Sequence, residues 1–448
     1  MRGPALRPDD ADAALLIDLY ELTMAAAYLA DGNHGTATFE LWVRDQGERN
    51  FLVTAGLEEA LRYLEGLRFD PFALEYLESR CRFPPGFLDF LGRLRFTGEV
   101  WAMPEGTIAF AGEPLLRVTA PIIEAQIAET FLINAVGFQT LIASKAARVT
   151  LAAAGRTWVD FGARRAHGAD AALGAARSAY LAGAAATSLV LAGREHGIPI
   201  TGTMAHSYVL SHLSEREAFL SFARTFPDDA VLLIDTFDTL DGARIAAGAA
   251  GELAAEGIRV SGVRLDSGDL ATLAWKVRAI LDEAGFPGIR ILASGGLDEH
   301  AVAALIAAPI DGFGVGTRMT TSADDPSLDA IYKLVEDRGG PRMKTSTGKA
   351  TLPGAKQVHR VEEKGTIAGD TIALAAEEGV AGWPLLRQVM VEGRRLDPPE
   401  PLAAARERCR AGLASLPGSL RALGARAETP VRVSPGLEAL ARALAARR

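Results

Sequence analysis

Two glycine-rich segments carry the clearest chemical signal in the sequence, and each ends a predicted strand late in a regular series. Glycine lets the backbone approach an anion closely, and the N–H groups at the start of a following helix point towards that anion. Either segment alone could be an ordinary tight turn, but two in succession predict a phosphate-binding site. The residues concerned are Ser294, Gly295, Gly296, Gly314, Gly316 and Thr317.

Carboxylates and an arginine lie at the ends of two earlier predicted strands. Arg264 and Asp266 are two residues apart, so on a strand both side chains point to the same side. Arg264 is suited to an anionic substrate group and Asp266 to a cation or a ribose hydroxyl, although the two could also form a structural ion pair. Asp235 and Asp238 add carboxylates suited to Mg²⁺ held through water or to ribose hydroxyls, and Asp238 is equally suited to capping a helix.

A histidine, His206, directly follows the end of another predicted strand, close to Thr203. A lone histidine is more often a structural than a catalytic residue, and it is the position beside the strand end that makes His206 a candidate. His212 lies six residues further on, which does not match the spacing of a helical metal-binding pair.

Two aromatic residues are considered as partners for a flat substrate. Phe161 ends the first predicted strand of the series, where its ring could stack on such a substrate, and Arg164 follows it closely. Tyr20 lies in an N-terminal segment with apolar residues at helical spacing. From the residues alone, burial in the core is the default expectation for Tyr20.

A regular alternation of strands and helices must position these side chains. Short apolar runs are separated by alanine-rich stretches of helical period, such as residues 242–256 and 270–284, which predicts βαβ units and a parallel sheet. Six or more such units favour a closed α/β barrel, with an open sheet as the alternative. In a barrel the C-terminal strand ends surround one active site, so the polar residues should converge. The predicted strands are residues 157–162, 198–203, 231–236, 262–267, 289–294 and 310–316.

The remainder of the chain is less regular and predicts a second domain of α+β type. Residues 18–30 and 54–64 have the pattern of helices, and residues 38–43 that of a strand. Short strands and an Arg/Ala-rich helical tail follow the barrel series. The expected domains are an N-terminal α+β domain (1–135), an α/β barrel domain (136–330) and a C-terminal segment (331–448) that packs on the N-terminal domain.

Composition argues against several other classes of protein. The 448 residues are 49% hydrophobic and 23% charged, as in an ordinary globular enzyme of two or three domains. The net charge of −9 argues against nucleic-acid binding, and two cysteines, Cys81 and Cys409, indicate neither a disulfide framework nor a zinc site. No apolar run reaches the about 18 residues of a membrane span, so we expect a cytoplasmic protein. Walker A, Rossmann and G-x-S-x-G signatures are absent.

Seven stretches of the sequence match one known family. They are LLIDLYELTMAAAY (15–28), FELWVR (39–44), FGARRAHG (161–168), GTMAHSYV (202–209), GVRLDSGDL (262–270), FGVGT (313–317) and YKLVEDRGGPRMK (332–344). On these stretches the chain resembles the nicotinate phosphoribosyltransferases, and the resemblance extends over nearly the whole chain. It implies the irregular (β/α) barrel of type II phosphoribosyltransferases plus an α+β domain built from the N- and C-terminal segments.

The resemblance also implies a reaction. Nicotinate and phosphoribosyl pyrophosphate give nicotinate mononucleotide and pyrophosphate, with Mg²⁺ as cofactor and ATP as co-substrate, in NAD biosynthesis by Preiss–Handler salvage. Hydrolysis of ATP is coupled to the synthesis through a phosphohistidine. Family members act as homodimers with shared active sites.

Roles for particular residues follow from the resemblance. The family's phosphorylated histidine matches His206, and the tyrosine that stacks on the pyridine ring, reaching into the neighbouring subunit, matches Tyr20. Thr203 matches a threonine that contacts nicotinate, and Arg264 matches an arginine of the same family motifs. Thr317 matches the threonine that contacts the 5′-phosphate.

A related nicotinamide-specific family extends these roles by analogy and helps to discriminate the substrate. The motif that it shares gives ring stacking to Phe161 and an anion contact to Arg164. That family recognises its amide through a carboxylate in the following helix, and residues 183–192 here contain none, which favours the acid. No metal site is expected from the protein alone, and Asp266 and Asp235 are candidates to hold Mg²⁺ through water near the leaving pyrophosphate.

Three alternatives to the nicotinate enzyme remain open at the level of sequence. The nearest is the nicotinamide-specific transferase. The second is a catalytically silent barrel that binds phosphate compounds, which would not need so many carboxylates beside arginines. The third, a barrel aldolase or isomerase, would require a lysine at a strand end, and all six predicted strand ends lack one.

Overall fold

The computed structural model describes residues 12–346, 349–424 and 426–446. The chain divides into two compact units. The first, which we call the terminal unit, combines Met1–Ser144 with Asp325–Arg448, and the second, the central unit, is Lys145–Asp324. The central unit is therefore one contiguous stretch of sequence, whereas the terminal unit is assembled from both ends of the chain.

The N-terminal part of the terminal unit begins with a helix and a long strand, as predicted. The first helix ends at a turn in which Gly32 has a φ of +64°, a conformation that glycine adopts without strain. The helices are α1 (Leu19–Ala30), α2 (Leu57–Gly66), α3 (Pro71–Arg80), α4 (Phe87–Arg93), α5 (Ile122–Ile127) and α6 (Glu129–Ala152), of which α6 runs on past the end of this part into the central unit. The strands are β1 (Thr36–Val43), β2 (Leu52–Val53), β3 (Glu99–Ala102), β4 (Ile108–Ala109) and β5 (Pro114–Pro121).

The central unit alternates strands and helices, which confirms the predicted βαβ series. Its strands form a five-stranded sheet in the order β6-β10-β9-β8-β7, and each pairing is parallel. The strands are β6 (Thr157–Asp160), β7 (Ala230–Leu233), β8 (Val260–Leu265), β9 (Arg290–Ala293) and β10 (Gly312–Val315). The helices are α7 (Ala169–Leu181), α8 (Val190–His196), α9 (His206–Leu210), α10 (Glu215–Thr225), α11 (Thr239–Ala255), α12 (Leu270–Glu283), α13 (Glu299–Leu305) and α14 (Thr317–Thr320).

The predicted strand at residues 198–203 is wrong. Of this segment, Ile200 forms an isolated bridge to Thr187, which in turn bridges Asp160 of β6. Pro199 has no N–H and cannot donate to a strand ladder, so the pairing stops at a single bridge. Beyond β6 the sheet continues as these two parallel bridges.

The C-terminal part of the terminal unit consists of short strands followed by helices, also as predicted. The strands are β11 (Ala330–Asp337), β12 (Gly340–Pro341), β13 (Lys356–Glu363), β14 (Thr366–Leu374), β15 (Trp383–Pro384), β16 (Arg387–Val391), β17 (Arg394–Arg395) and β18 (Val431–Val433). The helices are α15 (Leu402–Ser415), α16 (Gly418–Arg421) and α17 (Pro435–Ala445).

Both ends of the chain contribute to a seven-stranded sheet in the order β12-β11-β1-β5-β3-β16-β17. Strand β1 pairs antiparallel with β5 on one side and with β11 on the other, which places Leu41 opposite both Leu116 and Tyr332. The ring of Tyr332 stacks on Phe39 of β1 at 5.0 Å between centroids. The predicted α+β domain built from N- and C-terminal segments is thereby confirmed.

A buried ion pair connects this sheet to the second sheet of the terminal unit, β15-β13-β14-β18. The Nζ atom of Lys356 on β13 lies 2.8 Å from Oε2 of Glu40 on β1, with side-chain exposures of 4% and 0%. Burial lowers the pKa of Lys356, and the charge of Glu40 opposes that effect. The ammonium also donates to the carbonyls of Leu352 and Gly354, so the desolvated charge is compensated on several sides.

Among the described residues, no helix combines the length and the apolar character needed to cross a membrane.

Candidate functional site

The carboxyl edge of the parallel sheet in the central unit collects polar residues from four strands. Asp160 is the last residue of β6, and Asp235 lies two residues beyond the end of β7. Asp266 and Ser294 directly follow β8 and β9. Since parallel strands end at the same edge of a sheet, these residues face one region, which is where α/β sheets bind their ligands.

Asp235, Asp266 and Ser294 form a chain of hydrogen bonds along this edge. Oδ2 of Asp235 accepts from the backbone N–H of Asp266 (2.9 Å) and from the hydroxyl of Ser267 (2.6 Å). The hydroxyl of Ser294 donates to Oδ1 of Asp266 at 2.5 Å. Oδ1 of Asp235 is buried and has no hydrogen-bond partner among the described residues. The two carboxylates are therefore held in fixed orientations, and one buried oxygen remains available to a ligand.

The guanidinium of Arg264 is directed by the segment that precedes α9. Its Nη1 donates to the hydroxyl of Thr203 at 2.6 Å, and its Nη2 donates to the carbonyl of Met204 at 3.1 Å. Burial lowers the pKa of Arg264, Asp266 and Asp235 raise it, and Arg164 lowers it. The hydrogen bonds of Arg264 thus go to neutral groups rather than to Asp266, which suits its guanidinium to an anionic ligand.

His206 is the first residue of α9 and is half-buried. Its Nδ1 atom lies 3.2 Å from the hydroxyl of Thr236, the residue after Asp235. The histidine is thus positioned against the end of β7, on the edge that carries the two carboxylates.

Both glycine-rich segments lie at the ends of strands of the same sheet, and each contains one glycine that close contacts require. Gly295 has a φ of +94°, and a Cβ atom there would lie 1.9 Å from the carbonyl oxygen of Asp266. A Cβ on Gly314 would lie 2.6 Å from the ring of Phe161, and Gly296 has a φ of +65°. Thr317 is exposed at the first position of α14, directly after Gly316.

Phe161 and Arg164 lie on the turn after β6, next to the second glycine-rich turn. The backbone N–H of Phe161 donates to the carbonyl of Val315 at 2.8 Å. The turn is supported by Asp160, which accepts from the N–H of Gly162 and from the hydroxyl of Thr187, both at 2.8 Å. Burial raises the pKa of Asp160, and these two hydrogen bonds lower it. Arg164 is exposed.

Three polar residues at this edge were not singled out from the sequence. Thr236 and Ser267 hold His206 and Asp235, and each is adjacent to a predicted aspartate, which is the only signal that marks them. Glu215, the first residue of α10, is 7% exposed, and no group in the described part of the chain hydrogen-bonds its Oε1. Burial raises the pKa of Glu215, and Asp241, Asp235 and Asp238 raise it further.

Asp238 takes the helix-capping role that was one of the alternatives considered for it from the sequence. Its side chain accepts from the N–H groups of Leu240 (3.0 Å) and Asp241 (2.9 Å), so it caps α11. No group of three or more His, Cys, Asp or Glu side chains in the described ranges has an arrangement that could hold a metal ion.

Tyr20 belongs to the terminal unit, where it is the second residue of α1. The default expectation of a buried side chain is wrong, because Tyr20 is 46% exposed. Partial burial raises the pKa of Tyr20, and the negative charges of Glu129 and Glu21 raise it further. The adjacent Glu21 is buried, and desolvation raises its pKa to about 7 despite two hydrogen bonds from Thr130.

The fold is that of the type II phosphoribosyltransferases, as predicted. The crystal structure of human nicotinic acid phosphoribosyltransferase is 30% identical, with a TM-score of 0.85, and the match covers 95% of this chain and 99% of the human one. A nicotinate-nucleotide pyrophosphorylase from Pyrococcus furiosus has a TM-score of 0.77 at 24% identity, with 92% and 99% of the two chains covered.

The sequence comparisons define the family within this fold. Residues 15–137 match the family described as the nicotinate phosphoribosyltransferase (NAPRTase) N-terminal domain. Over 414 residues the chain is 50% identical to nicotinate phosphoribosyltransferase pncB2 of Mycobacterium tuberculosis (strain ATCC 25618 / H37Rv), covering 92% of this chain and 89% of that protein. The chain belongs to the nicotinate phosphoribosyltransferase family, and the predicted resemblance is confirmed.

Proposed function

We propose that the protein transfers the phosphoribosyl group of phosphoribosyl pyrophosphate to nicotinate, giving nicotinate mononucleotide and pyrophosphate, as a step in NAD biosynthesis. The observation that carries the proposal is the 50% identity over 414 residues to an enzyme of that name. The strand-end carboxylates, Arg264 and the two glycine-rich turns supply the groups that this reaction needs.

The neutral ring nitrogen of nicotinate is the nucleophile, so the reaction needs no general base. Its lone pair forms the new bond to C1′ of the ribose while the bond from C1′ to the pyrophosphate oxygen breaks. The transition state resembles a ribosyl cation, for which positioning and electrostatics matter more than covalent catalysis. Arg264 and Thr203, which hydrogen-bond each other, would bind the nicotinate carboxylate, and Phe161 would stack on its ring.

The two glycine-rich turns would bind the 5′-phosphate through backbone N–H groups, with the hydroxyl of Thr317 as a further donor. Arg164 is exposed and close enough to Arg264 to lower the pKa of that residue, which suits a second anion contact. The glycine-rich turns and Arg164 therefore both support a substrate with a phosphate group at one end and a pyrophosphate group at the other.

Asp235 and Asp266 fit a hydrated Mg²⁺ ion. The buried, unpartnered Oδ1 of Asp235 provides a carboxylate oxygen that can accept from metal-bound water, and Asp266 is held beside it. Because the described residues contain no complete protein site, the remaining ligands would be water and pyrophosphate oxygens. The ion, when bound, would neutralise the charge that develops on the leaving pyrophosphate.

His206 would couple the synthesis to ATP. Attack of its imidazole on the γ-phosphate would form an N–P bond with release of ADP, and hydrolysis of that bond would give inorganic phosphate. The phosphorylated ring would carry about −2 charge, enough to order arginine-bearing loops nearby. We further propose that ATP shares the phosphoribosyl pyrophosphate pocket, which predicts competition between the two ligands in the unphosphorylated enzyme.

A homodimer with shared active sites is the proposed assembly, in a cytoplasmic location. The half-exposed ring of Tyr20 supports a contact with a neighbouring subunit, where it would stack on the pyridine ring. The oligomeric state is measurable by light scattering of the purified protein.

The test is incubation with radiolabelled nicotinate, phosphoribosyl pyrophosphate and Mg²⁺, with and without ATP. We expect nicotinate mononucleotide in both cases and more of it with ATP. If neither condition yields the mononucleotide, the assignment fails. Replacing nicotinate with nicotinamide tests the nearest alternative, and the absence of a carboxylate in residues 183–192 predicts preference for the acid.

A further inference from the structure

One ion pair joins the two glycine-rich turns of the central unit. Asp298 lies two residues beyond Gly296, at the end of the first turn, and Arg318 directly follows Thr317 in the second. The Nη1 atom of Arg318 donates to Oδ2 of Asp298 at 2.6 Å. The pair therefore connects the segment after β9 to the segment after β10.

Asp298 uses its other oxygen to cap α13. Its Oδ1 accepts from the backbone N–H of Ala301 at 2.9 Å. Burial raises the pKa of Asp298, but the bonds from Ala301 and Arg318 outweigh it and leave the pKa below its usual value. Asp298 is thus a charged group with both oxygens engaged, and its side chain is 15% exposed.

Buried polar groups anchor the first turn at both ends. Ser294, at the start of the first turn, donates to Asp266 at 2.5 Å. Glu299, just after the turn, is fully buried and paired with Lys145 (2.6 Å) and Arg148 (2.8 Å).

The second turn leads into α14, a helix of four residues whose N-cap, Gly316, has no side chain to cap it. The pair from Arg318 to Asp298 therefore adds a side-chain link between this short helix and the anchored first turn.

We propose that Asp298 is a positioning residue that, through Arg318, holds Thr317 and its turn at the separation from Gly295–Gly296 that binding of the 5′-phosphate requires. Neither side chain contacts the substrate. The inference rests on the proposed function for the identity of the ligand, but the spacing of the turns is a property of the protein alone.

The test separates the ion pair from the helix cap. Asn is as good an N-cap as Asp, so Asp298→Asn keeps the bond to Ala301 and removes the charge that binds Arg318. We expect the KM and the Kd for phosphoribosyl pyrophosphate to rise by about three- to fivefold, with kcat and the KM for nicotinate within about twofold of wild type. Arg318→Met should give the same change, and the double variant should be no worse than either single one.

Matched measurements exclude a general structural effect. Glu407→Gln breaks an exposed Arg–Glu pair in the terminal unit and should leave every constant unchanged. Arg318→Lys should recover most of the affinity. The proposal is overturned if the losses of affinity in the two single variants add up in the double variant. It is also overturned if Arg318→Met loses far more affinity than Asp298→Asn, or if the variants lower the Tm without any change in affinity.

Calorimetric binding of phosphoribosyl pyrophosphate needs no turnover, so the same comparison stands if the wild-type protein forms no mononucleotide. A wild-type protein that binds this ligand without turnover contradicts the proposed function and leaves the comparison of variants intact. A wild-type protein that binds none of it contradicts both.

Discussion

Single residues at the edge of the parallel sheet differ in how firmly the surrounding protein holds them. Asp235 and Asp266 are fixed by hydrogen bonds from Ser267 and Ser294, whereas the His206 side chain has one hydrogen bond within the described residues, to Thr236. The proposed transfer of a phosphoryl group to and from His206 is better served by the second arrangement, because fewer hydrogen bonds must break if the ring turns. The proposed roles at this scale can be tested one side chain at a time.

Replacing His206 separates the coupling reaction from the synthesis. In His206→Ala we expect the stimulation by ATP to disappear, with a slow ATP-independent synthesis retained, because the nucleophile is nicotinate itself. His212→Ala is the matched control, since His212 is held by the carbonyl of Tyr208 at 2.8 Å and should keep the stimulation. Loss of both rates in His206→Ala would instead place the histidine in the chemical step.

Glu21 should make the stability of the terminal unit depend on pH. Burial raises the folded-state pKa of Glu21 to about 7, so folding favours its protonated form. The contribution of Glu21 to the free energy of unfolding is therefore lost as the pH rises from the unfolded-state pKa of this carboxyl towards its folded-state pKa. Above pH 7 that contribution changes little. We expect Glu21→Gln to remove this slope, and Tm measured between pH 5 and 8 will show it. If Tm depends on pH in Glu21→Gln as it does in the wild type, Glu21 ionises freely in the folded protein.

Among the elements, the turns after β8, β9 and β10 do most to shape the site. The turn after β9 packs so closely against the turn after β8 that a side chain is excluded at Gly295, and Gly314 within β10 lies as closely against the ring of Phe161. A local change in one turn should therefore alter the position of its neighbour.

Gly295→Ala tests this packing. The new Cβ would lie 1.9 Å from the carbonyl oxygen of Asp266, and φ is +94°, so the turn must shift at a cost of about 1–3 kcal/mol. We expect kcat/KM for phosphoribosyl pyrophosphate to fall at least about tenfold by steady-state kinetics. Gly248→Ala, in α11 with open space around it, should leave the kinetics unchanged and slightly raise the Tm. If Gly295→Ala and Gly248→Ala had the same kcat/KM, close packing at Gly295 would not matter for activity.

Most of the strands, helices and turns were predictable from the sequence because they depend on local patterns of residues. Hydrophobic periodicity and glycine placement predicted the series of strands and helices and both turns. The segment around Ile200 was mispredicted because the pairing that Pro199 prevents depends on a distant partner. The exposure of Tyr20, the bond between Ser294 and Asp266 and the burial of Glu215 also depend on contacts between residues far apart in sequence.

At the scale of the whole molecule, buried charge connects the sheets of the terminal unit. Lys356→Met would remove the ion-pair partner of Glu40, which is 0% exposed and would keep only the charge of Arg117 on the neighbouring strand. We expect the free energy of unfolding of this unit to fall by about 3–5 kcal/mol in urea titration. Arg410→Met, which breaks an exposed pair in the same unit, is the control and should leave the urea midpoint unchanged. A small effect of Lys356→Met would mean that water reaches Glu40.

The order of strands in the seven-stranded sheet bears on synthesis at the ribosome. Strand β1 lies between β5 and β11, and β11 is translated almost three hundred residues after β1. The central unit, being contiguous, has all its strands as soon as it emerges, whereas β1 waits with one edge unpaired until β11 appears. An open edge of eight residues is a template for pairing with other chains. A nascent chain stalled before residue 330 should therefore aggregate or recruit chaperones, and one released after the C-terminal segment should not.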